Sequence, residues 1–242
     1  MDEQPIPAAT VVVFREGKGA PELLMVERSA ALRFAGGKLV FPGGRLDPGD
    51  LLLAQGLDGD PDDMAARIAA IREAIEETGV GVGIEAAQDD LAAIRARLHA
   101  GATLAAAIEG TGAVLRPETL VPFARWLPHG VQHRVFDTRF YLARAPTDAV
   151  PTPDGGENVR AFWARAREVL AAADMGEAAI IFPTRRNLER LARFARFEDA
   201  VADALAHPIR PITPWIEGDA LRIPEGMGYP VTSEPLASAV RA

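Results

Sequence analysis

Residues 72–80 read Arg-Glu-Ala-Ile-Glu-Glu-Thr-Gly-Val, and residues 41–44 upstream of them read Phe-Pro-Gly-Gly. The later segment closes a predicted helix. Asp60 is a suitable N-cap, Pro61 suits the first turn, and Gly79 is placed to end the helix. Three isoleucines recur between these ends at helical spacing and predict a buried stripe: Ile68, Ile71 and Ile75.

Three glutamates, Glu73, Glu76 and Glu77, lie near the end of this helix and converge on one face. Anions are disfavoured there because they repel each other and because the helix dipole is negative at that end. Arg72 offsets part of the charge through its i+4 neighbour Glu76. A hard divalent cation, Mg²⁺ or Mn²⁺, would offset more, because clustered carboxylate oxygens are its preferred ligands.

The alternative is a solvated acidic face with an ordinary Arg–Glu surface pair. The Phe-Pro-Gly-Gly segment favours the metal site, because its glycines permit close approach of the backbone to a metal or a phosphate.

Together these residues resemble the Nudix box. Gly44 fits the first glycine of that motif, Asp50 stands where its first glutamate belongs, and residues 72–80 fit its end. The spacing departs from the family pattern, because 21 residues separate Asp50 from Arg72. The additional segment, roughly residues 51–64, contains Asp, Gly and Pro and is predicted to be a surface loop leading into the helix.

The resemblance implies the Nudix fold, an α/β (α+β) sandwich in which a mixed central sheet lies between helices. It also implies that Arg72 belongs to the catalytic residues. The implied metal ligands are the Gly43 carbonyl and the carboxylates of Glu73, Glu76 and Glu77.

A second pattern precedes the Phe-Pro-Gly-Gly segment. Arg28-Ser29, Arg33 and Gly37 are each followed by three residues before the next element of the pattern. Two arginines at this point can hold a polyanionic ligand by charge-assisted hydrogen bonds. The spacing resembles the signature of Nudix coenzyme A diphosphatases, which implies that Arg28, Arg33, Gly43 and Gly44 bind substrate. The alternative is that the two arginines are ordinary loop-surface residues.

Glu157 lies six residues before Trp163. In many Nudix enzymes a glutamate on a loop shortly before a strand-borne tryptophan supplies a metal ligand or general base, and the resemblance implies that role for Glu157. An ordinary loop carboxylate is the alternative, and Glu168 is a weaker candidate for the same role.

The remaining chain reads as strands and helices within one domain spanning residues 1–242. Strands are predicted at residues 8–15, 22–28, 119–127 and 134–143. Helices are predicted at residues 85–101, 103–109, 165–173 and 183–206. We expect a helical insertion at about 84–117 and a C-terminal extension at about 183–242. For the insertion, a scaffold role is favoured over a lid or a homodimer contact.

Other charged residues in this half of the chain have less specific interpretations. Arg125, Arg134 and Arg139 either point into the cleft or solvate strand faces. His129 and His133 flank a turn with no third ligand nearby, which favours polar loop residues over a metal site. Five arginines of the helix at 183–206 predict a basic, solvated face: Arg185, Arg186, Arg190, Arg193 and Arg196. From residue 207 onward we expect an extended tail.

Composition excludes several classes of function. The 242 residues contain no cysteine, which excludes disulfides, thiolate zinc sites and a cysteine nucleophile. A formal net charge of −8 disfavours a nucleic-acid-binding surface. No apolar run reaches membrane-spanning length and the first residues lack a basic region, so we expect a cytoplasmic protein that does not enter a membrane.

The resemblance therefore implies a divalent-metal-dependent hydrolase of nucleoside diphosphate derivatives. Its favoured substrate is coenzyme A or an acyl-CoA, giving 3′,5′-ADP and (acyl-)phosphopantetheine. The enzyme alternative acts on NADH, ADP-ribose or a nucleotide sugar. A non-catalytic nucleotide-binding regulator is disfavoured, because all three box glutamates are present.

Overall fold

The computed structural model describes residues 4–32, 35–128 and 135–239. Within these ranges the chain alternates short strands and helices. The strands are β1 (Ile6–Arg15), β2 (Glu22–Arg28), β3 (Leu39–Val40), β4 (Gly43–Arg45), β5 (Ile84–Glu85), β6 (Val114–Leu115), β7 (Val121–Trp126), β8 (Phe136–Arg144), β9 (Asn158–Arg165), β10 (Pro211–Ile212), β11 (Trp215–Glu217), β12 (Ala220–Arg222) and β13 (Ser233–Pro235).

Among the described residues, two helices precede β5, two lie between β5 and β6, and four follow β9. They are α1 (Pro48–Ala54), α2 (Pro61–Thr78), α3 (Gln88–His99), α4 (Leu104–Ile108), α5 (Ala166–Asp174), α6 (Phe182–Leu191), α7 (Phe197–Ala206) and α8 (Leu236–Ala239). A short 3₁₀ turn spans Pro117–Thr119.

The central sheet is mixed, with the strand order β10-β7-β8-β1-β2-β3. β1 runs parallel to β8 and antiparallel to β2, while β4 pairs with β1 and β9 pairs with β2. Arg28 at the end of β2 lies opposite Asn158 at the start of β9, and Val26 of β2 lies opposite Val40, directly before the Phe-Pro-Gly-Gly segment. The sheet therefore brings the Phe-Pro-Gly-Gly segment and the start of β9 to neighbouring positions.

Both faces of this sheet are covered, because the side chains of β1 alternate between two cores. Val11 and Val13 face a core that includes the isoleucine stripe of α2. Val12 and Phe14 face a second core that contains residues of α5, α6 and α7. The result is an α/β/α sandwich with a mixed central sheet, as the sequence predicted.

The predicted insertion region, residues 84–117, contains the β5–β6 pair and the helices α3 and α4. Leu91, Ile94 and Leu98 of α3 are buried in the α2 side of the core. Thr103 caps α4 by accepting a hydrogen bond from the Ala106 amide. The two helices predicted here are confirmed, with α3 beginning three residues later than expected.

Three predictions about local structure were wrong. The segment at residues 51–64 is not wholly a loop, because its first four residues complete α1 and its last four begin α2. Residues 183–206 form two helices, α6 and α7, rather than one. The chain after residue 207 is more than an extended tail, because β10 joins the central sheet and β11, β12 and β13 form a small sheet of their own.

The prediction of a basic, solvated helix face was wrong for Arg186 and Arg190, whereas Arg193 and Arg196 are exposed. Arg186 and Arg190 are almost fully buried, where they pair with Glu234 and Asp203. Arg190 also stacks on the rings of Phe123 and Tyr229. The arginine spacing resembled a solvated face because the acidic and aromatic partners lie far away in the sequence. Among the described helices, none has both the length and the apolar character needed to cross a membrane.

Candidate active site

Helix α2 presents the three glutamates, and its ends follow from local sequence. The Asp60 carboxylate accepts a hydrogen bond of 2.8 Å from the Asp63 amide, and Gly79 ends the helix in the left-handed conformation at φ 70°. Ile68, Ile71 and Ile75 are fully buried, which fixes the rotation of the helix against the sheet. The opposite face therefore carries the glutamates towards β4 and β9.

Arg72 lies at the centre of the acidic cluster, which comprises Asp50, Glu73, Glu76 and Glu77. Its Nη1 donates to Glu73 Oε1 at 2.9 Å and to Glu76 Oε2 at 2.8 Å. Its Nη2 donates to Asp50 Oδ2 at 3.0 Å and to the Arg45 carbonyl at 2.9 Å. Burial opposes the charged guanidinium, but the surrounding carboxylates outweigh it and raise the pKa of Arg72.

Asp50 reaches Arg72 from α1, the helix formed within the additional segment. The Asp50 side chain is 1% exposed and also accepts a hydrogen bond of 2.9 Å from the Asp47 amide. The structure thus brings together two residues that have 21 other residues between them in the sequence.

Glu77 is buried and is held through both carboxylate oxygens. Oε2 accepts a hydrogen bond of 3.0 Å from the Gly43 amide, and Oε1 accepts one of 2.9 Å from Asn158 Nδ2. Arg28 Nη1 lies 3.7 Å from Oε1. Burial, with repulsion from Glu73, raises the pKa of Glu77 to about 8.

Glu73 lies against the glycine backbone of β4. A Cβ atom on Gly44 would come within 2.5 Å of Glu73 Cδ, and one on Gly43 would come within 2.7 Å of Thr10 Cα. Glycine is therefore required at Gly43, where the close atoms include backbone, whereas a Cβ on Gly44 would have to displace the end of the Glu73 side chain. Burial raises the pKa of Glu73 to about 7, although the Arg72 guanidinium opposes the shift.

This donor set fits a hard divalent cation. It offers carboxylate oxygens on one helix face, and burial raises the pKa of two of those carboxylates, Glu73 and Glu77. Within residues 4–32, 35–128 and 135–239, no three acidic or histidine side chains already form a common ligand shell. Arg72 holds Glu73 and Glu76, whereas Gly43 and Asn158 hold Glu77.

Arg28 links the cluster to Glu157. Arg28 Nη2 lies 3.3 Å from Glu157 Oε2, while its Nη1 faces Glu77. The Glu157 side chain is 65% exposed, so it joins the buried glutamates through Arg28 and not by direct contact. Glu168 pairs instead with Arg165 at the start of α5. Arg33 lies outside the described residues.

A cleft of about 420 Å³ opens beside this cluster. Arg28, Gly43, Gly44 and Arg45 line its polar part. Much of the remaining wall is apolar, with Phe41, Phe140, Ile181 and Pro183 among its residues. A second cavity of about 860 Å³ lies between the start of α6 and the C-terminal segment, and none of the three glutamates lines it.

Two neighbouring residues, Asn158 and Asp154, complete the site, and sequence reasoning missed both of them. Asn158 is fully buried, and its amide donates to Asp154 Oδ2 as well as to Glu77. No sequence spacing signals the contact with Glu77, because Asn158 lies 81 positions further along the chain. The only sequence signal for Asn158 was its position directly after the candidate residue Glu157.

The remaining candidates do not join the cluster. Arg125 pairs with Asp137, and Arg139 lies 3.5 Å from Asp63. His129, His133 and Arg134 lie outside the described residues.

The comparisons with known proteins agree with this architecture. A family model described as the NUDIX domain matches residues 4–96. A NUDIX hydrolase structure from Alicyclobacillus acidocaldarius shares 30% sequence identity, with a TM-score of 0.73, over 84% of this chain and 97% of that chain. No curated protein matches the sequence.

More distant structures include the MutT protein from Methanosarcina mazei Go1, at 16% identity and a TM-score of 0.44 over 80% of this chain and 96% of that chain. A NUDIX hydrolase from Nitrosomonas europaea has 14% identity and a TM-score of 0.44 over 78% of this chain and 73% of that chain. The 30% identity to the Alicyclobacillus enzyme extends over nearly that whole protein and so decides the assignment. This chain belongs to the Nudix hydrolase family.

Proposed function

We propose that this Nudix hydrolase uses Mg²⁺ or Mn²⁺ to cleave the diphosphate of coenzyme A or an acyl-CoA. The products would be 3′,5′-ADP and phosphopantetheine or its acyl derivative. Nudix hydrolases act on nucleoside diphosphate derivatives and generally use divalent cations, so the proposal adds the identity of the substrate and of the metal.

The observation that carries the proposal is the position of Arg28. This arginine lines the cleft between Glu77 and Glu157, in the register of the coenzyme A diphosphatase signature. Its Nε is buried and has no hydrogen-bond acceptor in the part of the chain that the structure describes. The Arg28 side chain as a whole keeps 16% exposure, so a phosphate oxygen of the substrate would accept hydrogen bonds from the exposed part of its guanidinium.

The metal ligands would be Glu73, Glu76 and Glu77, with the Gly43 carbonyl. A bound cation would neutralise charge on the phosphate oxygens and lower the pKa of the attacking water. Arg72, held by Asp50, would orient Glu73 and Glu76. Arg28 and Arg33 would hold the phosphates.

Hydrolysis of the diphosphate then requires a base but no nucleophilic side chain. Water attacks one phosphorus atom, the bridging P–O bond breaks, and the leaving phosphate keeps the bridging oxygen. Glu157, or one of the box glutamates, would take the proton of the water. The exposed position of Glu157 beside Arg28 would let it reach the mouth of the cleft.

Product analysis by mass spectrometry tests this proposal. The protein is incubated with Mg²⁺ or Mn²⁺ and, separately, with coenzyme A, acetyl-CoA, NADH and ADP-ribose. The expected result is phosphopantetheine from coenzyme A in the wild type and not in Glu77→Gln. Cleavage of NADH or ADP-ribose alone would overturn the coenzyme A assignment and retain the Nudix chemistry.

A further inference from the structure

Asn158 occupies an unusual position beside the glutamates. It is the first residue of β9 and is 0% exposed. Its Nδ2 donates to Glu77 Oε1 at 2.9 Å and to Asp154 Oδ2 at 3.1 Å. Both amide hydrogens are therefore directed at carboxylates.

Asp154 fixes the orientation of this amide. Its Oδ1 accepts hydrogen bonds from the backbone amides of Asn158, at 2.9 Å, and Gly156, at 2.7 Å. A flipped side chain would turn Oδ1 of Asn158 towards two carboxylates and lose both donated hydrogen bonds. Asp154 thus braces both the backbone and the side chain of Asn158.

The loop that carries Asp154 is tied to the end of α2. The Thr152 amide donates to the Thr78 carbonyl at 2.8 Å. Arg95 of α3 donates to the Thr152 side chain at 2.6 Å and, through Nε, to the Glu76 carbonyl at 3.1 Å. The helix that presents Glu77 and the loop that presents Asn158 are consequently held by one common set of contacts.

Both hydrogen-bond donors to Glu77 are electrically neutral. The Gly43 amide fixes Oε2 and the Asn158 amide fixes Oε1. Neutral donors orient a carboxylate while leaving its negative charge for a cation, which is the usual role of groups that support a metal ligand.

We propose that Asn158, braced by Asp154, is a positioning residue that holds the Glu77 carboxylate in the orientation needed to bind a divalent cation. The inference rests on the metal-dependent function proposed above. Asn158 touches neither substrate nor cation in this account and acts through Glu77 alone.

The test measures Mn²⁺ binding to the full chain in the absence of substrate, from the electron paramagnetic resonance signal of free Mn²⁺. We expect Asn158→Ala to weaken Mn²⁺ affinity by about 10- to 100-fold. Asp154→Ala keeps the amide and removes its brace, so a smaller loss in the same direction is expected. Excess Mn²⁺ should restore much of the turnover in both variants.

Asn187→Ala is the matched control. Asn187 is also a fully buried asparagine with one amide atom unpartnered among the described residues, but its Oδ1 accepts a hydrogen bond from Tyr229, and no described hydrogen bond joins it to the glutamates. Its replacement should lower thermal stability and leave Mn²⁺ affinity within about twofold of the wild type, because its contacts lie away from Glu77.

The outcomes separate the two proposals. Wild-type Mn²⁺ affinity in both Asn158→Ala and Asp154→Ala would overturn the role of Asn158 alone. Failure of the wild type itself to bind Mn²⁺ or Mg²⁺ would overturn the metal-dependent function together with this inference. If Asn158→Ala does not fold, Asp154→Ala decides the result, because it retains the Asn158 side chain.

Discussion

Asp50 Oδ2 and Arg72 Nη2 lie 3.0 Å apart in the interior of the protein, although 21 residues separate them along the chain. Helix α1 makes this contact possible by bringing Asp50 back against the second half of α2. Arg72 in turn holds Glu73 and Glu76, so the orientation of two glutamates depends on a residue of another helix.

Replacing Asp50 should damage both stability and activity. Asp50→Ala leaves the buried Arg72 guanidinium short of one counter-charge, and we expect the free energy of unfolding to fall by roughly 3 kcal/mol. We expect turnover to fall by about 10- to 100-fold, because Arg72 would no longer orient Glu73 and Glu76. Denaturant unfolding and initial rates measure the two effects.

Asp137→Ala is the control for this change. It breaks the more exposed ion pair with Arg125, which should cost about 1 kcal/mol and leave turnover unchanged. Wild-type stability and turnover in Asp50→Ala would contradict the proposed role of the Asp50–Arg72 pair.

The stability of the metal-free protein should fall as the pH rises. Burial raises the pKa of Glu73 to about 7 and of Glu77 to about 8, from an ordinary value of 4.5. Between about pH 4.5 and about pH 8, the folded state therefore binds more protons than the unfolded state. This contribution to stability is lost as the pH rises through about 8. In the presence of EDTA, the Tm should be several degrees lower at about pH 8.5 than at about pH 6.

Glu77→Gln removes one of the two titrating groups and should flatten this decline. Equal declines in the wild type and in Glu77→Gln, followed by thermal unfolding across the same pH range, would show that Glu77 does not titrate in this way.

Gly44→Ala should affect chemistry more than folding. The added methyl group would overlap the Glu73 carboxylate and displace it, because the Cβ position lies 2.5 Å from Glu73 Cδ. We expect at least a roughly 10-fold fall in kcat and weaker dependence on Mn²⁺, measured by steady-state kinetics across a metal titration.

Gly17→Ala provides the comparison, because no atom lies within 4 Å of the added carbon. This variant should keep wild-type kinetics. Wild-type kcat in Gly44→Ala would mean that Glu73 can move without consequence.

Arg28→Ala should weaken substrate binding. Loss of the guanidinium removes a charge-assisted contact to the diphosphate, and we expect KM to rise by about 10-fold or more, with a smaller change in kcat. Arg160→Ala is the control, because Arg160 is an exposed arginine paired with Glu27. An unchanged KM in Arg28→Ala would remove Arg28 from the substrate site.

Arg190→Ala should destabilise the protein strongly. Arg190 is 1% exposed, lies 4.1 Å from the Phe123 ring centre and pairs with Asp203 at 2.7 Å. Its removal leaves Asp203 without its cation, so the free energy of unfolding should fall by about 3–5 kcal/mol. Denaturant unfolding gives this value directly.

Arg196→Ala serves as the exposed counterpart, since the Arg196 side chain is 66% exposed. Its stability should stay within about 0.5 kcal/mol of the wild type. A similar fall in the free energy of unfolding in both arginine variants would contradict the stabilising role of the buried Arg190–Asp203 pair.

Much of the fold was predictable because its signals are local. Asp60 and Gly79 define the ends of α2, and three isoleucines set the face that it buries. The same helix geometry places Glu73, Glu76 and Glu77 on the opposite face. The run of apolar residues in β1 predicted a mostly buried strand.

Other features depend on residues that are distant in the sequence. The burial of Arg186 and Arg190 depends on partners in the C-terminal segment and α7. Periodicity describes one element at a time, so it could not distinguish a solvated arginine from one that pairs within the core.

The sequence by itself determined α2 and its acidic face, because caps and helical periodicity act over a few residues, and its motifs implied the Nudix sandwich by resemblance. Only the tertiary structure decided that Asp50 holds Arg72, that Asn158 holds Glu77 and that Arg28 stands between Glu77 and Glu157. Those contacts join separate elements, and their geometry follows from how the helices and loops pack on the sheet.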